Sequence, residues 1–141
     1  MTVTGYIVEN FILSSDAATK VVAQLDFAKA SLLPAMALDH QTNQPLMQAW
    51  MNKDALHETL TTGRACYYSR SRQSLWHKGD TSGHVQHVKA VRTDCDKDSI
   101  ILLVEQIGAA CHTMRRYCFY HNIKQDGSLD ILIDPMCDGH H

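Results

Sequence analysis

The stretch that decides the reading runs Asp94-Cys95-Asp96-Lys97-Asp98-Ser99-Ile100-Ile101-Leu102-Leu103-Val104-Glu105, followed by Ala110-Cys111-His112-Thr113 and Arg115-Arg116-Tyr117-Cys118-Phe119-Tyr120. An apolar run with the composition of a strand, Ser99 to Glu105, separates an acidic cluster from a cysteine–histidine cluster. Carboxylates are hard oxygen ligands suited to magnesium or calcium, whereas thiolates are soft ligands that select zinc. The sequence thus carries donors for two chemically distinct metal sites, one on each side of a strand.

Before this stretch, Val85 to Arg92 alternates apolar and polar residues as a strand leading into the acidic cluster. Further back, Pro34 to Leu38 and Leu46 to Met51 read as the two strands of a hairpin around the polar turn 39–45. Asn52 is a good N-cap for a helix from Lys53 to Thr62 that buries Ala55, Leu56 and Leu60, and Gly63 is a good stop. Ala65 to Ser69 reads as another strand. A helix through Ala17 to Ala28, capped at Ser15-Asp16 with Val21, Val22, Leu25 and Ala28 on one face, is expected to be peripheral and without chemistry. After Tyr120, Asp126-Gly127 reads as a turn and Leu129 to Ile133 as a last strand. Cys137, His140 and His141 form a terminal cluster to which no role is assigned.

Length and composition bound the class. A chain of 141 residues, 45% hydrophobic and 20% charged, is enough for one domain with a core and too short for two. A net charge of -2 gives no electrostatic reason to expect nucleic acid or an anionic membrane as partner. No apolar run approaches the ~20 residues of a membrane helix, and no basic-then-apolar start marks export. Five cysteines, an odd number, suit free thiols or metal ligands in a reducing, cytoplasmic setting.

If residues 92–98 are extended, the two-residue period puts Asp94, Asp96 and Asp98 on one face and Cys95 on the other. Three carboxylates so close call for a cation or for water, and Mg²⁺ is the natural hard ion. An acidic turn with no ion reads the same way. Cys95, Cys111 and Cys118 lack the tight spacing of a structural zinc knuckle. They fit a catalytic zinc with three protein ligands and an exchangeable water, or equally three buried free thiols. His112, beside Cys111, is a candidate general base, or equally a residue that caps a loop by hydrogen bonding. Between the hairpin and the acidic cluster, residues 69–84 are rich in hydroxyl and cationic side chains and glycine. That composition suits phosphate or sugar recognition, and it suits a solvated hairpin loop as well. Trp76 within it reads as a core residue or as a base-stacking one.

Taken together, Leu46-Met-x-Ala-Trp-Met-Asn-Lys-x-Ala-Leu56, Tyr68-Ser-Arg-Ser-Arg72, Leu75-Trp-x-Lys-Gly-x-Thr-Ser-Gly83, Asp94-Cys-Asp-x-Asp98, Ala110-Cys-His-Thr113 and Cys118-Phe-Tyr120 closely resemble the phosphoribosyl-AMP cyclohydrolase family of histidine biosynthesis. The resemblance covers residues 33–121, in order and at the family's spacing. It implies a single domain over 1–141 with a β-rich α+β fold, forming an intertwined homodimer with zinc sites at the subunit interface. It further implies hydrolytic opening of the adenine ring, at the N1–C6 bond of N1-(5-phosphoribosyl)-AMP, to the formimino carboxamide ribonucleotide. By position, Cys95, Cys111 and Cys118 match zinc ligands and Asp94, Asp96 and Asp98 match magnesium ligands. In the family, Cys95 joins a zinc whose other thiolates come from the second chain. A zinc-activated hydroxide is then the nucleophile and His112 the candidate general base. Arg70, Arg72, Lys78, Thr81, Ser82 and Gly83 are expected to hold the substrate's phosphates.

The chain departs from the family at two positions. Met114 stands where the family usually has glycine, which suggests a differently shaped loop after His112, and Leu38 replaces a commonly polar residue. The H-x-E and P-C-x-x-C pattern of zinc deaminases is missing. A zinc-stapled dimeric binding module, with four protein ligands on the metal and no catalysis, is the alternative function.

Overall fold

The computed structural model describes residues 8–136, so Tyr6, Ile7, Cys137, His140 and His141 lie outside the described residues. The expected hairpin is present. Strand β1 (Leu33–Asp39) pairs antiparallel with β2 (Pro45–Met51). Its other edge pairs in parallel with the apolar strand, Ile100–Gln106, which in turn pairs antiparallel with Gln86–Thr93. With β3 (Cys66–Ser69), β4 (Ser74–His77), β5 (Gln86–Thr93) and β6 (Ile100–Gln106) numbered in chain order, the main sheet runs β2-β1-β6-β5. Its buried face carries Leu33, Ala35 and Ala37 from β1 and Ile100, Leu102 and Val104 from β6. The strand between the two polar clusters is therefore the centre of the fold.

Helix α2 (Lys53–Thr62) follows β2 directly. The Asn52 side chain accepts from the Ala55 amide at 2.8 Å and caps its start. Gly63, in the left-handed conformation at φ 74°, ends it. Ala55, Leu56 and Leu60 are buried, as the sequence led us to expect. The first helix is shorter than expected. Helix α1 (Ser15–Gln24) is capped by Ser14, whose hydroxyl accepts from Ala17, and it stops at Leu25. A tertiary tie ends it: the Asp26 amide donates to the Lys97 carbonyl at 2.7 Å, and the Asp26 carboxylate accepts from the Lys29 amide. In consequence Phe27 is buried and Ala28 is exposed. The segment is not peripheral, because it reaches the acidic cluster.

β3 and β4 form a two-stranded hairpin, so the polar segment 69–84 is part strand rather than one open loop. A buried chain of hydrogen bonds fixes this hairpin to the sheet. The Tyr67 hydroxyl donates to Gln86 at 2.6 Å, Gln86 donates to Gln106 at 2.8 Å, and Gln106 donates to the His84 carbonyl at 3.2 Å. Such a network, with every member partnered, holds its elements in one arrangement. The last strands, β7 (His121–Ile123) and β8 (Leu129–Ile131), make a separate exposed hairpin. The architecture is a small α+β fold, mostly sheet, with two helices among the described residues.

Candidate active site

A cleft of about 650 Å³ opens between the β3–β4 hairpin with its following loop and the loop after β6. One wall presents Arg72, Trp76, Lys78, Thr81 and Ser82, and the other presents Cys111, His112 and Met114, with His84 also lining it. Residues that the sequence separates by some thirty positions thus face a common space. Glycine permits this closeness at two points. At Gly79 (φ 88°) a methyl group would lie 2.5 Å from the Val85 nitrogen, and at Gly108 (φ 70°) one would lie 2.6 Å from the His84 ring.

The wall bearing Cys111 is a tight turn. The Met114 amide donates to the Cys111 carbonyl at 3.0 Å, and the Cys111 amide donates to the Arg115 carbonyl at 3.1 Å. Met114 sits at φ 69°, the left-handed conformation in which glycine is at ease. Methionine here takes a backbone conformation that glycine would take at lower cost. Cys111 is buried, yet its thiol is held below its ordinary range. Burial acts against ionisation, but the Thr113 hydroxyl donates to Sγ at 3.1 Å, and Cys118 and Arg115 add to the effect. For Cys118, burial together with neighbouring Cys111 pushes the thiol up to about 11. The Cys118 amide donates to the Leu46 carbonyl at 2.7 Å, which ties this wall to β2.

Lys78 is 7% exposed, and its ammonium lies 5.9 Å from the centre of the Trp76 ring. Burial lowers its pKa, while the nearby thiols of Cys118 and Cys111 act to raise it. Trp76 is 38% exposed and tilted against Tyr67, with ring centres 5.5 Å apart, so the core reading does not hold: it is a cleft-wall residue. Arg70 and Gly83 do not line this cleft. Arg70 lies over the Trp50 ring at 4.7 Å, beside a separate groove formed with Ser31, Leu32, Asn52, Tyr68 and Gln73.

The acidic cluster comes together by a different geometry from the expected extended one. Beyond Thr93 the chain turns: the Lys97 amide donates to the Asp94 carbonyl, the Asp98 amide donates to the Asp94 carboxylate at 3.0 Å, and Lys97 adopts φ 59°. The turn brings one carboxylate oxygen each of Asp94, Asp96 and Asp98 within 4.8 Å of one another. A strand would have spread them along its length. Lys29 answers this charge with its ammonium 2.7 Å from Asp98, an ion pair that lowers the Asp98 carboxyl and raises the Lys29 amine. Three hard oxygens at this spacing fit a hexacoordinate divalent ion that keeps several waters.

Cys95 is exposed on the same turn, which removes the reading of three buried free thiols. Among the described residues it forms no metal-sized group with Cys111 and Cys118 of its own chain. The donor set suits a soft metal, with Cys111 and Cys118 adjacent and Cys95 presented outward.

Other residues of the site carry no motif. Asp39, 8% exposed at the end of β1, accepts from Gln41, from the amide and hydroxyl of Thr42, and from Arg116. Arg116 also donates to the carbonyls of Gln106 at 2.6 Å and Gly108 at 2.9 Å, bracing the start of the thiol-bearing loop. His84 and Lys29 were equally unmarked. The Arg115-Arg116 pair was visible in the sequence, but nothing in its spacing told which arginine points inward.

Fold and cleft together define a small α+β domain with a nucleotide-sized cavity walled by a thiol–histidine turn and a cationic hairpin. The sequence model of the family "Phosphoribosyl-AMP cyclohydrolase" matches residues 47–120, which contain both walls and the acidic turn. The chain is 54% identical over 117 residues to the phosphoribosyl-AMP cyclohydrolase of Magnetococcus marinus, covering 83% of this chain and 90% of that one. It is 54% identical over 114 residues to that of Cereibacter sphaeroides (81% and 95%), and 52% identical over 118 residues to that of Alkalilimnicola ehrlichii (84% and 82%). The chain belongs to the phosphoribosyl-AMP cyclohydrolase family.

Proposed function

We propose that this chain hydrolyses the N1–C6 bond of N1-(5-phosphoribosyl)-AMP in histidine biosynthesis. The observation that carries the reading is the single cleft in which Cys111 and His112 face Lys78, Thr81 and Ser82. A ring-opening group and a phosphate-holding group must stand apart by the length of a nucleotide, and a cleft of about 650 Å³ is of that size.

Zinc held by Cys95, Cys111 and Cys118 would supply Lewis-acid activation of a water, and magnesium at Asp94, Asp96 and Asp98 would neutralise phosphate charge. The resemblance to the family implies that the three thiolates would meet in a homodimer, Cys95 of one copy joining Cys111 and Cys118 of the other, and the exposure of Cys95 on a separate turn supports that reading. The protein's own groups do the rest. Lys78, Arg72, Thr81 and Ser82 hold the phosphates by charge and hydrogen bonding. Trp76, standing on the same wall, offers a ring face to a base. Exposed on the turn, His112 takes one proton from the water that adds at C6. As N1–C6 breaks, N1 accepts a proton to become the formimino nitrogen, and the added oxygen becomes that of the carboxamide. Lys78 also suits its position in a second way: buried in the cleft wall, it meets a phosphate with little water left to displace.

Incubation of the purified chain with phosphoribosyl-AMP is expected to change the ultraviolet absorbance as the ring opens, with a product one water heavier by mass spectrometry. An unchanged spectrum and mass would remove the reading.

A further inference from the structure

The segment after β8 folds back onto the turn that carries Cys111 and His112. The Leu132 amide donates to the Tyr120 carbonyl at 2.8 Å, the Arg115 Nε donates to the Ile133 carbonyl at 2.8 Å, and the Met136 amide donates to the Met114 carbonyl at 2.7 Å. Arg115 is further fixed with its guanidinium 4.1 Å from the centre of the Tyr120 ring. Residues 132–136 otherwise stand largely exposed, so the attachment is polar and directional rather than a burial of apolar surface. They also lie outside residues 47–120, the part that matches the family.

Two of the three bonds end on Met114 and on its neighbour Arg115. Met114 is the residue of the turn whose left-handed backbone is costly for any side chain but glycine. Such a conformation persists only where its surroundings over-determine it. Within the turn, the Met114 amide is bonded to Cys111. Among the described residues, its carbonyl is bonded only from outside the turn, by Met136.

We propose that residues 132–136 are a positioning strap that holds Met114 in its left-handed conformation and thereby aims Cys111 and His112 into the cleft. The strap substitutes for the conformational ease that a glycine at 114 would supply. Arg115 and the Met136 amide are positioning groups, since neither lines the cleft.

The test is a double-mutant cycle between Met136→Pro, which deletes the one donor, and Met114→Gly, which removes the need for it. The first readout is amide hydrogen exchange at residues 111–116, followed by mass spectrometry on the full chain, and it does not depend on the substrate. Met136→Pro is expected to speed exchange there at least fivefold in the parent and less than twofold in the Met114→Gly background. The second readout, which rests on the cyclohydrolase reading, is a drop in kcat of similar size with KM within twofold, restored by Met114→Gly. Arg115→Met, which keeps the segment intact and removes the Nε donor, is expected to speed the same exchange. Equal acceleration in both backgrounds, or none in either Met136→Pro or Arg115→Met, overturns the strap. If exchange responds as stated and the parent turns over no phosphoribosyl-AMP, the strap stands and the functional reading falls.

Discussion

Arg116 reaches from the thiol-bearing loop to the end of the first strand, where its Nη2 lies 3.3 Å from Asp39 Oδ1. This pair joins the neighbouring C-terminal ends of the two central, parallel strands: Asp39 closes β1, and Arg116 braces the backbone at Gln106 and Gly108, where β6 gives way to the cleft wall. Burial alone would raise the Asp39 carboxyl, but the Thr42 and Gln41 donors and Arg116 together hold it below its ordinary value.

Acid stability follows from that direction. A carboxyl whose folded pKa lies below its unfolded value of about 3.9 stabilises the fold above that pH, and the contribution is lost as pH falls through the folded pKa. Asp39→Asn is expected to flatten the decline in stability below about pH 4, and Asp39→Ala to cost about 1–3 kcal/mol at pH 7 by stranding partly buried donors. Urea unfolding at pH 3, 4 and 7 checks both. An acid limb as steep in Asp39→Asn as in the parent would show that other carboxylates set it.

His112→Asn keeps a polar side chain of similar reach and removes the base. We expect kcat to fall by about 10²–10⁴-fold with KM little changed. Steady-state kinetics on phosphoribosyl-AMP decide it. A rise in KM with kcat intact would make His112 a binding residue.

Among the cationic residues expected to hold phosphate, the structure ranks two apart. Lys78 stands buried in the cleft wall, whereas Arg70 lies over Trp50 beside another groove. Lys78→Ala is expected to raise KM at least tenfold, about 1.4 kcal/mol of binding, and Arg70→Ala to raise it less. Equal effects would mean that Arg70 acts in a site other than the cleft of its own chain.

Lys29 pairs with Asp98, one of the three carboxylates of the acidic turn that would hold a divalent ion. Lys29 is exposed, so Lys29→Ala should leave stability little changed. Removing the competing ammonium should tighten Mn²⁺ binding severalfold in a titration followed by electron paramagnetic resonance. Weaker binding would assign Lys29 to building the turn rather than competing within it.

Much of this was legible in residues near one another in sequence. The 33–51 hairpin, the Asn52-capped helix and the strand at 100–106 follow from alternation and capping, which act over a few positions. The acidic triad was correctly grouped but for the wrong reason. Alternation suggested a strand, whereas Lys97 can take a left-handed turn and the Asp94 side chain captures the Asp98 amide. Helix α1 was read too long because its end is set by Lys97, some seventy positions away. The inward turn of Trp76 onto the cleft and the choice of Arg116 to bind Asp39 depend on packing between distant strands, which no local period encodes. That Cys95, a thiol exposed on a turn away from the other two, meets a second chain is proposed from resemblance, which spacing could not replace.

The central claim is that metal-assisted hydrolysis takes place at the Cys111–His112 wall. The most direct measurement follows ring opening of phosphoribosyl-AMP by absorbance as zinc is stripped with a chelator, verified by atomic absorption, and then added back. Our account predicts that turnover disappears with the metal, returns with stoichiometric zinc, and does not return in Cys111→Ser. Undiminished turnover by zinc-free protein, or full recovery in Cys111→Ser, would contradict it.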